Sequence, residues 1–133
     1  MDSIARQGAT VQLFLYWAPV LLYAAAIFYL SSQSHPEEHL PSFLIEDFSD
    51  KVLHAVAYGI LAILCYRTFR RAAGPTVARQ AVVLAIVTAS VFGITDELHQ
   101  AFVPLREASW QDWLADTIGA TIGAISWRSI KPR

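Results

Sequence analysis

The chain has 133 residues, enough for one domain, and 55% of them are hydrophobic against only 16% charged, a balance on the membrane side of what soluble domains show. Its net charge of -1 provides no basic excess for nucleic acid. The single cysteine, Cys65, lies in an apolar run, excludes a disulfide within the chain and reads as a small apolar residue of a helix.

Met1 to Thr10 is polar with one cation, Arg6, and residues 11–30 form an apolar run, roughly the 20 residues that cross a bilayer as a helix. Ala24-Ala25-Ala26 offers small residues of the kind found near a signal cleavage site. The run nevertheless exceeds the about 7–15 residues of a signal peptide and only one Arg precedes it, so it is expected to be an uncleaved anchor. Ser31 to Asp50 carries Pro36, Pro41 and the acids Glu37, Glu38, Glu46, Asp47 and Asp50, with no Lys or Arg, which predicts a solvated connection. His35 and His39 in this stretch lack a metal-binding partner pattern and are expected to have no role.

Residues 52–69 are a second apolar run, opening beside Asp50 and closing at Arg67, Arg70 and Arg71, the polarity that suits a helix dipole. Gly74-Pro75 breaks the chain, and residues 80–103 form a third run, apolar until Asp96 and stopped by Pro104. Ser109-Trp110-Gln111-Asp112 fits a helix start in which hydroxyl and carboxylate serve free backbone donors. A fourth run continues to residue 127, followed by Arg128, Lys131 and Arg133.

The prediction is an all-α fold, a bundle of four transmembrane helices over about residues 11–30, 52–69, 80–103 and 109–127, in one domain. If the spans alternate, Arg6, Arg67, Arg70, Arg71, Arg79, Arg128, Lys131 and Arg133 share one side and only Lys51 and Arg106 the other. Lys and Arg in short loops set topology, so both termini are expected in the cytoplasm and the acidic loop outside. Trp17, Trp110, Trp113 and Trp127 are expected near the interfaces as aromatic anchors.

This topology gathers Asp50, Lys51, His54, Asp96, Glu97, Gln100, Arg106, Asp112 and Asp116 into one outer layer. Residues four apart share a helix face, so Asp50, His54 and Tyr58 form one stripe, and Asp112 and Asp116 another that leads to the close-packing pair Gly119 and Gly123. In the third run Ala81, Ala85, Ala89, Gly93, Glu97 and Ala101 form a row of mostly small residues, which points Glu97 at the other helices. Asp96 and Gln100 occupy the adjacent row, beside the same cavity or toward the headgroups, and His99 falls on neither row as an expected bystander. Ionisable groups inside a membrane are costly and mark functional sites by default. A purely structural network, with Lys51 and Arg106 pairing Asp96, Asp112 or Asp116, and Asp112 acting only as a cap, is the competing explanation.

The ordered set Asp50-Lys51, His54, Tyr58 and Leu61, then Asp96-Glu97, Gln100, Phe102, Pro104 and Arg106, then Ser109, Asp112, Asp116, Gly119-Ala120 and Gly123 resembles the VanZ-like family of small integral membrane proteins over roughly residues 20 to 125. The chain departs from that pattern at Leu105, where Gly is expected, and at Asp116-Thr117, where Asn is expected. The resemblance implies a four-helix protein of the bacterial inner membrane whose founding member is associated with low-level teicoplanin resistance. Some relatives carry a phosphotransbutyrylase label, but no Gly-rich phosphate loop is present to support it.

Three functions follow as expectations. In the first, an outer pocket binds membrane lipid headgroups or a lipid-linked envelope precursor, with Arg106 and Lys51 meeting phosphate and Gln100, Asp112, Asp116, Asp50 and Tyr58 completing the binding surface. In the second, a membrane-embedded hydrolase or transferase uses Glu97 or Asp96 as base and His54 as acid or base. A divalent metal on His54, Asp96, Glu97 and Asp112 is an extension of it, because acids outnumber cations in the layer. A small transporter ranks third, since no charged path continues through the inner halves of the runs.

Overall fold

The structure, a computed structural model, describes residues 2–47 and 49–131, and the side chains of 3–44 and 49–131. Arg133 and the side chains of Glu46 and Asp47, which the sequence assigns to the basic tail and acidic loop, lie outside them. Among the described residues all regular structure is helical. The helices are α1 (Asp2–Gln12), a π-helical turn (Leu13–Trp17), α2 (Ala18–Ser31), a 3-10 turn (Pro36–His39), α3 (Ser42–Asp47), α4 (Asp50–Ala72), α5 (Pro75–Arg79), α6 (Ala81–Gln100) and α7 (Trp110–Ile130).

The first helix runs unbroken from Ser3 to Ser31, and Pro19 explains its π-helical turn. Proline has no N–H to give the preceding turn, and the ladder widens just before it. Thr68 of α4 donates its hydroxyl hydrogen to the Tyr16 carbonyl in that widened turn at 2.8 Å. α4 starts at the Ser49 cap, whose hydroxyl accepts the Val52 N–H at 3.3 Å. Asp50 stands in its first turn, Arg70 and Arg71 in its last, matching the dipole at both ends. Gly74, at φ 87, allows the reversal into α5. α6 ends at Gln100, before the proline expected to stop it, and a turn closed by Arg106 N–H to Val103 carbonyl leads toward α7.

The centre of the protein is made of small residues. Ala62, Ala81, Ala85, Ala89, Ala120 and Ala124 are buried around Tyr58, Leu61, Cys65 and Tyr66. α4 and α7 approach most closely where Gly119 meets the Ala55 backbone and Gly123 meets that of Gly59, and a Cβ at either glycine would collide with a carbonyl. The branched residues point the other way. Val56 and Ile60 of α4, Val83, Val87 and Val91 of α6, and Leu114, Ile118 and Ile122 of α7 are exposed at four-residue spacing. Small residues inside and branched apolar residues outside is the arrangement of helices packed within lipid.

Among the described residues, three helices are long and apolar enough to cross a membrane: Ser3–Ser31, Asp50–Ala72 and Ala81–Gln100, with mean hydropathy 1.9, 1.6 and 1.8. α7 has comparable length, 21 residues, but is not among them. Its lower hydropathy reflects Asp112, Asp116 and Arg128. The sequence count of four spans therefore exceeds what apolar length alone supports.

Candidate functional site

The site is assembled from the first turns of α4 and α7 and the last turns of α6 and α2. His54, one turn into α4, places its Nδ1 2.8 Å from Asp116 Oδ1. A carboxylate accepts, so this nitrogen carries the hydrogen, which fixes the ring. The opposite nitrogen, Nε2, lies 3.8 Å from Asp112 Oδ2 and 4.0 Å from Asp50 Oδ1. Lys51 Nζ binds Asp112 Oδ1 and stands 3.9 Å from Asp50 Oδ2. The Asp50–His54–Tyr58 stripe thus meets the Asp112–Asp116 stripe across the glycine contact.

Ser109 caps α7 by accepting the Asp112 N–H on its hydroxyl. The reciprocal half of the cap differs from the sequence expectation. Glu97 of α6, rather than Asp112, accepts the Ser109 N–H, at 2.9 Å on Oε2. The Asp112 carboxylate is thereby free for Lys51 and His54, and one helix start is closed by the end of another.

Both rows of α6 face inward. Ala81, Ala85, Ala89, Gly93 and Glu97 are buried, though Ala101 at the end of that row is exposed. Asp96 at 2% exposure is buried at least as deeply as Glu97 at 7%, because α2 covers the face that α4 and α7 leave open. Gln100 donates its Nε2 hydrogen to the Ser31 hydroxyl at 3.0 Å. His99, expected to be a bystander, instead pairs with the Ser32 hydroxyl at 2.9 Å and stacks on Phe28 with centroids 4.3 Å apart. It fastens α2 to α6. Trp113, expected as an interfacial anchor, is half-buried and donates its indole N–H to the Ser90 carbonyl at 3.1 Å.

Among the described residues, four buried polar atoms have no hydrogen-bond partner: Tyr58 Oη, Asp96 Oδ1, Glu97 Oε1 and Asp116 Oδ2. Gly93 leaves room for two of these residues, since a Cβ there would lie 3.1 Å from Asp116 Oδ2 and 3.4 Å from the Tyr58 ring. Among the described residues, two groups have ligand atoms within 4.8 Å of one another and the chemistry to hold a cation, Asp50 with His54 and Asp112, and His54 with Glu97 and Asp116. In the first, Lys51 already occupies Asp112. Asp96 belongs to neither group.

A cavity of about 340 Å³ opens between α2 and α4. Asp50, His54, Tyr58, Asp96, Gln100 and Arg106 form its polar wall, while Ile27, Leu30, Leu44, Leu53, Val56 and Ile60 form its apolar one. Lys51, Glu97, Asp112 and Asp116, expected in the pocket, do not line it. Arg106, half-buried, takes part in no ion pair among the described residues, so the expected pairing with Asp96, Asp112 or Asp116 is absent. The sequence reading missed α2's share of the cavity. Its signal was the four-residue stripe of Tyr23, Ile27 and Ser31. In the connecting loop, His35 pairs with Glu37 at 3.0 Å. The backbone amide of Glu37, and then His35, hold that carboxyl below its ordinary range.

A family model described as VanZ/LLP1 matches residues 9–131 of the chain. No curated protein and no solved structure is similar enough to match.

Proposed function

The chain belongs to the VanZ/LLP1 family, and on that premise we propose that it is a multi-pass protein of the bacterial plasma membrane whose outward pocket binds phosphate-bearing lipid headgroups or lipid-linked envelope precursors. In this reading α7 is a fourth span, the termini are cytoplasmic, and the acidic loop with the turn after α6 faces outward. The observation that carries it is the two-sided cavity. Its polar wall holds Arg106, whose planar fork matches a phosphate. Its apolar wall reaches Val56 and Ile60, which are exposed on the lipid-facing side of α4, so an amphiphile enters sideways with its tail in lipid and its headgroup at Arg106.

Native mass spectrometry of the purified protein with polyprenyl phosphate tests this. Bound lipid is expected for wild type. Arg106→Gln should weaken it about 10- to 100-fold, the equivalent of the ~1.5–3 kcal/mol of a hydrogen bond to a charged group. Equal binding by both proteins would overturn the reading. The link to lipoglycopeptide resistance predicts that wild type, and not Arg106→Gln, raises the teicoplanin tolerance of a susceptible host.

A second reading is a hydrolase or transferase acting on a lipid phosphate with a divalent metal held by His54, Glu97 and Asp116. The unpartnered Glu97 Oε1 and Asp116 Oδ2 favour it, since buried carboxylate oxygens need a donor or a cation. Elemental analysis should then find bound metal that Glu97→Gln removes, with turnover of labelled lipid phosphate lost in parallel. Absence of metal from wild type after supplementation with zinc, manganese and magnesium excludes it.

A further inference from the structure

The opposite end of the molecule carries a second concave site, of opposite charge. The sequence holds no Asp or Glu between Asp50 and Asp96, and none after Asp116. Arg67, Arg70, Arg71, Arg79, Arg128 and Lys131 therefore gather where no acid from these helices can pair them, and none of them forms an ion pair among the described residues. They line two neighbouring cavities that share Tyr66 and Arg70. One, of about 170 Å³, lies between Tyr16, Arg67, Arg71, Trp127 and Lys131. The other, of about 360 Å³, lies toward Arg79, Gln80 and Arg128.

Three of these cations, Arg67, Arg70 and Lys131, are positioned rather than loose. The Arg67 guanidinium lies 5.9 Å from the centroid of the Tyr16 ring, and the Lys131 ammonium 5.0 Å from that of Trp127, contacts in which an aromatic face holds a cation. Arg70 donates to the Ala78 carbonyl at 3.3 Å, which ties it to α5. Tyr66 is buried between the two cavities. The smaller one has room for on the order of five waters at ~30 Å³ each, enough for a phosphodiester.

We propose that this basic end is a binding site for the phosphodiester headgroup of an anionic phospholipid in the adjacent leaflet. Arginine forks supply paired donors to the phosphate, and Tyr16 and Trp127 are the amphipathic side chains that border acyl chains at an interface. The site is separate from the outer cavity and does not depend on the function assigned there.

The test uses the full chain carrying Arg106→Gln, which weakens any phosphate binding at the outer cavity. Lipid binding is measured by native mass spectrometry with phosphatidylglycerol, with phosphatidylcholine of the same acyl chains, and with inorganic phosphate. Phosphatidylglycerol should bind at least tenfold more tightly than phosphatidylcholine, and Arg67→Gln with Arg70→Gln should remove that preference. Equal binding of the two lipids, or a preference untouched by the double substitution, overturns the proposal. Binding of inorganic phosphate as tight as that of phosphatidylglycerol overturns the lipid assignment in favour of a free anion. If circular dichroism shows the glutamine pair unfolded, the lysine pair replaces it. It keeps the charge but loses the forks, and should bind several-fold more weakly. Undiminished binding by the lysine pair means diffuse attraction and sinks the site.

Discussion

Leu105 adopts a φ of 65, in the left-handed region that costs a residue with a Cβ roughly 1–2 kcal/mol. The resemblance leads to an expectation of Gly there, and the turn geometry supplies a reason for one. With 79% of its surface exposed, Leu105 gains little packing in return. Leu105→Gly is therefore expected to stabilise the protein by about 1 kcal/mol, read as a higher midpoint of thermal unfolding in detergent. Lys51 presents the opposite case. It bonds directly to the buried Asp112 carboxylate, and Lys51→Met leaves that carboxylate with His54 Nε2 at 3.8 Å but without its direct donor, at a cost of about 1–3 kcal/mol. Removing both charges with Lys51→Met and Asp112→Asn should recover part of the loss. A double variant less stable than either single one, by urea titration, would contradict the pairing.

Helix contacts explain what could be read from the sequence and what could not. The inward row from Ala81 to Glu97 was legible because four-residue spacing on one helix is fixed by geometry. The Gly119 and Gly123 face was legible for the same reason, and α4 is the helix that covers it. Gly119→Ala drives a methyl into the Ala55 backbone and should destabilise by about 1–3 kcal/mol. Gly8→Ala, in the exposed α1 with nothing within 4 Å, should be neutral or slightly stabilising by helix propensity. Equal effects from the two would show that α4 and α7 do not meet as described. The burial of Asp96 was not legible, since a single helix does not reveal that it is covered on two sides. Nor was the Glu97 cap on Ser109. Local pattern offered Asp112 for that role, and only the meeting of α6 with α7 reassigns it.

At the scale of the molecule, Lys51 and Arg71 are twenty residues apart on α4, which at 1.5 Å per residue is roughly 30 Å. This equals the hydrocarbon thickness of a typical bilayer, about 30 Å. In the arrangement proposed above, the acidic layer and the basic cavities stand at the two surfaces, with the exposed Val, Leu and Ile side chains between them. A lipid-exposed Ile122 follows if α7 spans as proposed. Ile122→Lys should then cost ~2.5–3.5 kcal/mol of insertion, lowering the membrane-inserted fraction in a translocation assay. An unchanged fraction would leave α7 outside the bilayer. A reporter fused after Arg133 is expected in the cytoplasm, and its appearance outside would reverse the proposed orientation.

The widened turn at Leu13–Trp17 has a further consequence for the segment that precedes it. A π-helical turn is what an α-helix becomes when it absorbs one surplus residue, and each residue rotates the chain by about 100°. Deleting Leu13, an exposed residue of this turn that leaves Tyr16 on Thr68, is therefore expected to swing α1 around its axis while α2, held by Tyr23 to Ala57 and by Ser31 to Gln100, keeps its place. Because α1 is exposed on all the faces described, the swing disrupts no packing. Length at this end of the molecule is thus uncoupled from the pocket, and the chain can tolerate insertions, deletions or fusions there without altering the outer site.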